Sequence, residues 1–291
     1  MEHEGTTILQ GAKEGNMKAS LRTLALSLMF AVGMGVGTYA HAQDAVAEPA
    51  PPAGYKLIPE DLTADLNVSL YTQYVWRGYA LSKDSLVIFP TLTVGYKGFA
   101  FNVWTDLDTD YDGLGPAGDS HNCRLWETDY VLTYSNSYEP WKLNYTLGWI
   151  YYDTDGTDGL TPTKSQELFV TLGLDTLLKP TFSVFQEIET GHAWYFQLGL
   201  SHSLAVYKDW SLDLAGTVSY LNNKSTNDFS DFHDGNISAG LKIPLNKYLS
   251  ITPKIQYSFP LSSAASKDIE AGSLTRAHNF VYGGIIFDLA I

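Results

Sequence analysis

Apolar and polar residues alternate along the chain from Leu62 onward. Between Leu62 and Trp76, the even positions carry mostly aliphatic and aromatic side chains. The odd positions carry mostly polar ones, with Val75 as the exception. Successive side chains of a β-strand point to opposite faces, so this stretch predicts a strand with one apolar wall and one polar wall. A polar turn at residues 82–85 and a second strand over residues 86–96 follow it.

The polar wall includes the charged residues Asp65 and Arg77, whereas the apolar wall is rich in large side chains. A soluble β-sandwich would bury one wall in a dry core and turn polar groups to water. An inner wall with charged groups and an outer wall with large apolar ones are instead typical of a membrane-spanning barrel. The pattern therefore predicts an all-β fold, namely an antiparallel transmembrane β-barrel.

The pattern recurs to the end of the chain and predicts about twelve strands. We place them at residues 62–78, 86–96, 99–108, 123–135, 140–152, 165–175, 180–190, 193–204, 210–221, 235–244, 248–259 and 278–291. Short connections follow the even strands, and long ones follow strands three, five, nine and eleven. This is expected of outer-membrane barrels, which have short periplasmic turns and longer outer loops. The short connection after strand seven departs from the pattern.

Aromatic residues cluster near both ends of the predicted strands. On the long-loop side they are Trp76, Tyr79, Trp126, Trp149, Tyr151, Trp194, Tyr220 and Phe259. On the short-turn side they are Tyr96, Phe99, Tyr138, Trp141, Tyr207, Trp210 and Tyr248. Amphipathic rings prefer the boundary between membrane and water, so the clustering predicts two aromatic belts.

Residues 18–42 have the pattern of a secretory signal peptide. Lys18 and Arg22 open it, an apolar core follows, and Ala40-His41-Ala42 fits a small-x-small cleavage site. A membrane anchor is disfavoured because the apolar run is shorter than the roughly 20 residues that a bilayer requires. We therefore assign residues 1–42 to an upstream extension and signal peptide. Residues 43–61, rich in Ala, Pro and Glu, form a flexible periplasmic lead-in, and residues 62–291 form the barrel.

The composition limits the partners. A net charge of −14 repels phosphate backbones, so nucleic acid is excluded. The single cysteine, Cys123, allows no intramolecular disulfide. We expect outer-membrane lipids and small solutes as partners, and the sequence does not define an oligomeric state.

One segment is similar to a known family. Tyr74-Val-Trp-Arg-Gly78 is followed by Phe89-Pro-Thr-Leu-Thr-Val-Gly-Tyr-Lys-Gly-Phe-Ala-Phe-Asn-Val-Trp104. Over residues 66–108 the chain resembles the opening of the TorF-like putative porins. The resemblance implies a bacterial outer-membrane location and a channel-type role, and it implies no substrate.

Odd and even positions of a strand face opposite sides of the wall, and this parity predicts which charged side chains line the lumen. The acids are Asp65, Asp106, Asp108, Glu127, Asp129, Glu167, Asp175, Glu187, Glu189 and Asp213, and the bases are Arg77, Lys142, Lys242 and Lys254. Rings of charge set pore selectivity, so ten acids against four bases predict an interior that favours cations. The alternative is a narrow, plugged lumen in which these groups form structural ion pairs. Twelve strands lie between filled and clearly open barrels, and we favour an open or narrow channel.

Arg77 has two interpretations of its own. It could line a constriction, or its guanidinium could fork onto a carboxylate across the lumen. We favour the second, structural role, because a guanidinium matches the two oxygens of a carboxylate.

The acidic stretch Asp108-Thr-Asp110-Tyr-Asp112-Gly113, with Asp119 at the twelfth position, is a weak match to a calcium-binding loop. Three carboxylates two residues apart can wrap a hard cation, but the flanks are predicted strands, so this is no EF-hand. We favour the alternative, an acidic solvated loop, and we expect no other cofactor.

The sequence offers no clear catalytic constellation. His202 lies between Ser201 and Ser203, but neighbouring residues of a strand point to opposite faces. We therefore expect no enzymatic activity. The predicted function is a porin-like passive channel for small solutes in the bacterial outer membrane, favouring cations. The alternative is a closed structural or adhesive barrel that acts through its long outer loops.

Overall fold

The computed structural model describes residues 61–111, 122–155, 163–189, 191–224 and 228–290. Its strands are β1 (Leu62–Tyr71), β2 (Val75–Trp76), β3 (Tyr79–Ala80), β4 (Val87–Tyr96), β5 (Phe99–Tyr111), β6 (Asn122–Tyr138), β7 (Leu143–Thr154), β8 (Thr163–Leu174), β9 (Thr181–Glu187), β10 (Trp194–Tyr207), β11 (Trp210–Asn223), β12 (Phe229–Pro244), β13 (Leu249–Pro260) and β14 (Phe280–Ala290). The helical elements described are a 3₁₀ turn (Glu139–Trp141) and an α-helix, α1 (Ser263–Gly272). The predicted signal peptide and all but the last residue of the lead-in lie outside the described residues.

Twelve of these strands close into an antiparallel barrel, in the order β1-β14-β13-β12-β11-β10-β9-β8-β7-β6-β5-β4. The first and last strands pair, so that Val68 of β1 lies opposite Phe287 of β14 and, on its other side, opposite Pro90 of β4. Each barrel strand thus pairs with two neighbours, which satisfies the backbone within the barrel wall. The predicted fold class and strand number are confirmed.

The outer surface of the barrel is apolar, as the alternation predicts. Leu66, Leu92 and Ile255 lie within strands and leave 43 %, 47 % and 58 % of their surface exposed. The next residue after Leu92 points inward, because the Thr93 hydroxyl accepts a hydrogen bond from Nδ2 of Asn102 at 2.7 Å. Large apolar side chains facing outward in every part of the wall form the lipid-facing band of an outer-membrane barrel.

Among the described residues, no helix combines the length and the apolar character needed to cross a membrane.

The first strand ends earlier than predicted, at Tyr71 and not at residue 78. Residues 72–86, which we call the plug segment, turn back into the lumen and contain the short hairpin of β2 and β3. The prediction that Trp76 and Tyr79 belong to the outer aromatic belt is therefore wrong, since each is only 3 % exposed. Alternation continues past Tyr71 in the sequence, but these rings pack against lumen side chains in place of lipid.

The tip of the plug segment is a two-residue hairpin turn. Arg77 and Gly78 both have positive φ, at 42° and 89°, between the paired residues Trp76 and Tyr79. Two such residues form the turn whose twist matches that of a two-stranded ribbon, and glycine is favoured there. The turn presents the Arg77 side chain to Glu167 of β8.

Two β-bulges bring additional side chains inward. Asp106 of β5 lies opposite Glu127 of β6, but the next residue of β5, Leu107, lies opposite Leu125. Trp126 is therefore an extra residue of β6. Trp126 is therefore buried inside the barrel, and its predicted place in the outer belt is wrong. A bulge interrupts the inward–outward alternation, which is why parity fails at this point.

The second bulge lies in β12, whose predicted start at residue 235 is also wrong because the strand begins at Phe229. Val218 lies opposite Gly235 and Tyr220 lies opposite Phe232, so His233 and Asp234 share the place opposite one residue of β11. Both are buried. Like the first bulge, this one adds a side chain to the lumen.

Helix α1 closes over the plug segment from the connection between β13 and β14. Ser262 caps it, since its hydroxyl accepts a hydrogen bond from the backbone N–H of Ala265 at 3.1 Å. The backbone N–H of Ala80 donates to Oγ of Ser273 at 3.1 Å, and the N–H of Leu274 donates to the carbonyl of Ala80 at 2.9 Å. The plug segment and the helical connection therefore form one packed unit in the lumen.

Candidate functional site

The lumen has two different halves. The periplasmic half is lined by small, partly exposed hydroxyl side chains: Thr91, Thr93, Thr133, Thr171, Ser201, Thr217, Ser238 and Thr252. The outer half holds the plug segment, α1 and the buried ionisable groups of the strands. We call the first half the vestibule and the second, which is filled by packed side chains, the constriction.

The centre of the constriction is an ion pair between Arg77 and Glu167. The guanidinium donates from Nη1 to Oε1 at 3.2 Å and from Nη2 to Oε2 at 2.9 Å. Both side chains are 1 % exposed. Tyr152 also donates to Oε2 of Glu167, at 3.0 Å. This is the forked geometry that the sequence analysis favours for Arg77.

Aromatic rings surround the same guanidinium. Its Cζ lies 4.1 Å from the ring centroid of Tyr195, 4.7 Å from that of Phe185 and 5.2 Å from that of Trp76. A cation within about 6 Å of an aromatic face is stabilised by the ring quadrupole, and more so when water is excluded. The barrel thus holds an organic cation with one carboxylate and three rings.

Two tyrosines fix the rest of the plug segment. The Tyr74 hydroxyl donates to Oε2 of Glu127 at 3.0 Å. The Tyr79 hydroxyl donates to Oδ2 of Asp268 in α1 and lies 3.1 Å from Nε2 of His233. Burial first, and the neighbouring carboxylates second, raise the pKa of both tyrosines well above its ordinary value, so both remain donors.

Several buried carboxylates of the outer half have full sets of donors. Glu187 accepts backbone N–H bonds from Glu189, Gly191 and His192 at 2.7, 2.6 and 2.7 Å, and so fixes the loop after β9. Asp234 accepts from the hydroxyls of Tyr195 and Ser219 and lies 3.0 Å from Nδ1 of His233. Such donor sets stabilise a buried negative charge.

Three other carboxylates are poorly compensated. Asp106 and Glu127 lie directly opposite each other on β5 and β6, and Asp129 follows two residues later on the same face of β6. Within the described chain, Oδ1 of Asp106 and both carboxylate oxygens of Asp129 are buried without a hydrogen-bond partner. Both residues are almost completely buried.

The predicted lumen residues divide into four groups. Glu127, Asp129, Glu167, Glu187 and Arg77, with Asp106 and Asp108, are buried in the outer half. Asp65 interacts with Asp288 and Lys242, and Lys254 with Asp213, in the periplasmic half. Lys142 and Asp175 do not line the strand wall, because they lie in adjoining periplasmic turns. Glu189 lies beyond the end of β9, exposed and bonded to the outward-facing Gln166, so its predicted lumen position is wrong.

The calcium-loop candidates are only partly described. Asp112 and Asp119 lie outside the described residues. Asp108 is buried, and Oδ1 of its carboxylate accepts a hydrogen bond from the backbone N–H of Asp110 at 3.0 Å. Among the described residues, no group of three His, Cys, Asp or Glu side chains is placed to hold a metal ion. Calcium binding stays a prediction.

Sequence reasoning missed Tyr74, Tyr152, Tyr195, His233 and Asp268 as lumen residues. The signal for the plug segment was present in Trp76-Arg77-Gly78-Tyr79, in which a glycine follows an arginine between two aromatic residues. Such a pair is a hairpin-turn pattern, and it argues against one continuous strand.

The closed barrel and its apolar outer surface define the class: the protein is an integral β-barrel of the bacterial outer membrane. No protein-family model and no curated protein matches the chain. The resemblance to the TorF-like putative porins stays a prediction.

Solved structures that resemble the fold are outer-membrane barrels. The NanC porin aligns with a TM-score of 0.48 and 9 % identity over 78 % of this chain and 98 % of its own. The COG4313 outer membrane channel from Pseudomonas putida F1 aligns with a TM-score of 0.44 and 9 % identity over 84 % and 100 %. The β domain of the Bordetella autotransporter BrkA aligns with a TM-score of 0.37 and 12 % identity over 79 % and 98 %. No function is transferred from them.

Proposed function

We propose that the protein is a porin-like passive channel for small solutes. The observation that carries the proposal is the polar inner wall of a closed barrel. Small hydroxyl side chains and the charges of Asp65, Asp213, Lys242 and Lys254 line its periplasmic half. A wall of this kind holds water, and a water-filled barrel in a membrane is a path for polar solutes.

The channel is narrow at its outer half and favours cations. There the plug segment brings one buried base, Arg77, among the buried acids Asp106, Asp108, Glu127, Asp129, Glu167 and Glu187. Fixed negative charge in a region of low dielectric attracts cations and repels anions. The plug segment is the constriction that a permeating solute meets.

The alternative function, a closed barrel that acts through its outer loops, has one observation in its favour. The plug segment is fastened to β6, β8 and β12 by Tyr74, Arg77 and Tyr79, which would hold the outer half shut. The two functions differ in whether these contacts open.

Planar-bilayer recordings on the refolded chain separate them. A channel gives discrete conductance steps and, in a salt gradient, a reversal potential of the sign expected for cation selectivity. Salt screens surface charge over about 8–10 Å at physiological strength, so the preference should be largest at low salt. Protein that migrates as a folded barrel but gives no steps would establish the closed alternative.

A further inference from the structure

Among the described residues, no positively charged side chain pairs with the three poorly compensated carboxylates of the constriction. Asp129 is 0 % exposed and Asp106 is 1 % exposed. Removing an ionised carboxylate from water is unfavourable unless a counter-charge or several donors replace the lost hydration. The Tyr74 hydroxyl donates a hydrogen bond to Glu127, whereas Asp129 receives no hydrogen bond from the described residues.

The contrast with the neighbouring acids shows that this is a local feature. Glu167 has a guanidinium and a phenol, Glu187 has three backbone N–H groups, and Asp234 has two hydroxyls and an imidazole. Arg77, the buried arginine of the plug segment, is engaged by Glu167. The strand pair β5–β6 therefore offers negative charge that the described side chains do not neutralise.

Aromatic rings line the same corner of the lumen. The ring of Tyr74 lies 5.5 Å from that of Trp104 and 6.3 Å from that of Trp126, and Tyr111 stacks on Trp126 at 6.0 Å. The β6 bulge is what turns Trp126 inward next to Glu127. Carboxylates beside aromatic faces are the surroundings in which proteins hold organic cations.

The spacing of the carboxylates favours an organic cation over a metal ion. Two positions along a strand separate Glu127 and Asp129 by roughly 6–7 Å. No three acidic, histidine or cysteine side chains among the described residues are placed to hold a metal ion. A guanidinium is planar and has N–H donors on several of its edges. It can therefore donate to two carboxylates that are too far apart to share a metal ion.

The plug segment shows this chemistry one strand pair away. The Arg77 guanidinium is held by a carboxylate fork and three rings, and its partner Glu167 interacts electrostatically with Asp129. The Asp106–Glu127–Asp129 group is therefore the neighbour of a site in which this protein already binds a guanidinium.

We infer that Asp106, Glu127 and Asp129, with Tyr74, Trp104 and Trp126, form a binding site for a small organic cation of the guanidinium type. The inference rests on the proposed function, because a cation would reach these residues through the lumen of the channel. Small guanidinium-type cations are then the class of solute that the channel prefers.

The test uses methylguanidinium chloride as the ligand and methylurea as its neutral counterpart of similar shape. Calorimetric titration of the refolded full-length chain in detergent should show binding of methylguanidinium only. Asp129→Asn and Asp106→Asn should each raise the dissociation constant about tenfold or more, because a charged hydrogen-bond acceptor is lost. Asp213→Asn removes an equal charge in the vestibule and should change it less than twofold. The same cation should reduce potassium conductance in bilayers.

Each result decides between the site and the channel. Wild-type protein that conducts potassium but does not bind methylguanidinium overturns the site and leaves the channel. Binding that survives in folded Asp129→Asn and Asp106→Asn proteins also overturns the site. Binding that both substitutions weaken, in a barrel that does not conduct, supports the site and overturns the channel.

Discussion

Arg77 and Glu167 are 90 residues apart in the sequence, yet two parallel hydrogen bonds of 3.2 and 2.9 Å join them across the lumen. This pair ties the tip of the plug segment to the wall at β8. Because both side chains are buried, the pair affects both the stability of the barrel and the width of its constriction.

Replacing Arg77 by Gln should therefore destabilise the barrel and increase its conductance. Loss of one partner of a buried ion pair costs about 3–5 kcal/mol, because the remaining charge stays buried. Urea unfolding in detergent micelles measures the first effect and bilayer recordings the second. The matched control is Arg124→Gln, whose pair with Asp155 is partly exposed and should contribute about 0–1 kcal/mol. Equal losses in the two variants would mean that the Arg77 pair does not fasten the plug segment.

The direction of the side chains in β4 can be tested with two adjacent substitutions. Leu92→Arg places a charge on the lipid face, where it should cost about 2–4 kcal/mol, whereas Thr93→Arg points into the polar vestibule and should be tolerated. Refolding yield into lipid vesicles, read from the gel shift of the folded barrel, compares them. Similar yields for the two proteins would contradict the assigned facing of β4, and a lower yield for Thr93→Arg would show that its faces are reversed.

Gly78 should not tolerate a side chain. Its φ is +89°, and a Cβ there would lie 2.9 Å from Cβ of Asp234 and from Cδ1 of Ile269. Gly78→Ala should destabilise the barrel by at least about 1 kcal/mol and loosen the plug segment from α1. Gly216→Ala is the control, because a Cβ there would make only ordinary contacts at 3.7 Å. Unfolding curves that coincide for the two variants would contradict this packing.

A disulfide between the plug segment and the connection after α1 should lock the constriction. Ala80 and Ser273 are neighbours, with the backbone N–H of Ala80 3.1 Å from Oγ of Ser273. Ala80→Cys with Ser273→Cys, in a chain with Cys123→Ser, should form the bridge during oxidative refolding. If solutes pass by displacement of the plug segment, the oxidised barrel conducts less than the reduced one. Conductance unaffected by dithiothreitol would mean that solutes pass while the two segments stay together.

The sequence predicted the barrel well because alternation is a property of each strand by itself. The facing of Leu92 and Thr93 follows from parity alone, and so does the inward position of Glu167. The strand number was also correct, because each alternating stretch of the sequence corresponds to one strand of the closed barrel.

The site was harder to predict, because parity fails wherever a residue is inserted or the chain turns. Trp126 and His233 point inward through bulges that alternation cannot reveal. Tyr74 continues the apolar pattern of β1 but folds into the lumen, since its packing partners there, Phe89 and Trp104, lie on other strands of the barrel. Lys142 followed the parity of a strand that the structure begins only at Leu143.

The pairing of β1 with β14 has a consequence for assembly. The plug segment directly follows β1, and the connection with α1 directly precedes β14, so both lumen-filling segments are attached to the two strands of the closing seam. Their mutual contacts, such as Leu274 to Ala80, join parts of the chain that are nearly as far apart in sequence as the seam itself. Contacts of such long range form late in folding because loop-closure entropy opposes them. We therefore expect the lumen to fill and the wall to seal in one late folding step, and a chain cut before Phe280 to lose both together.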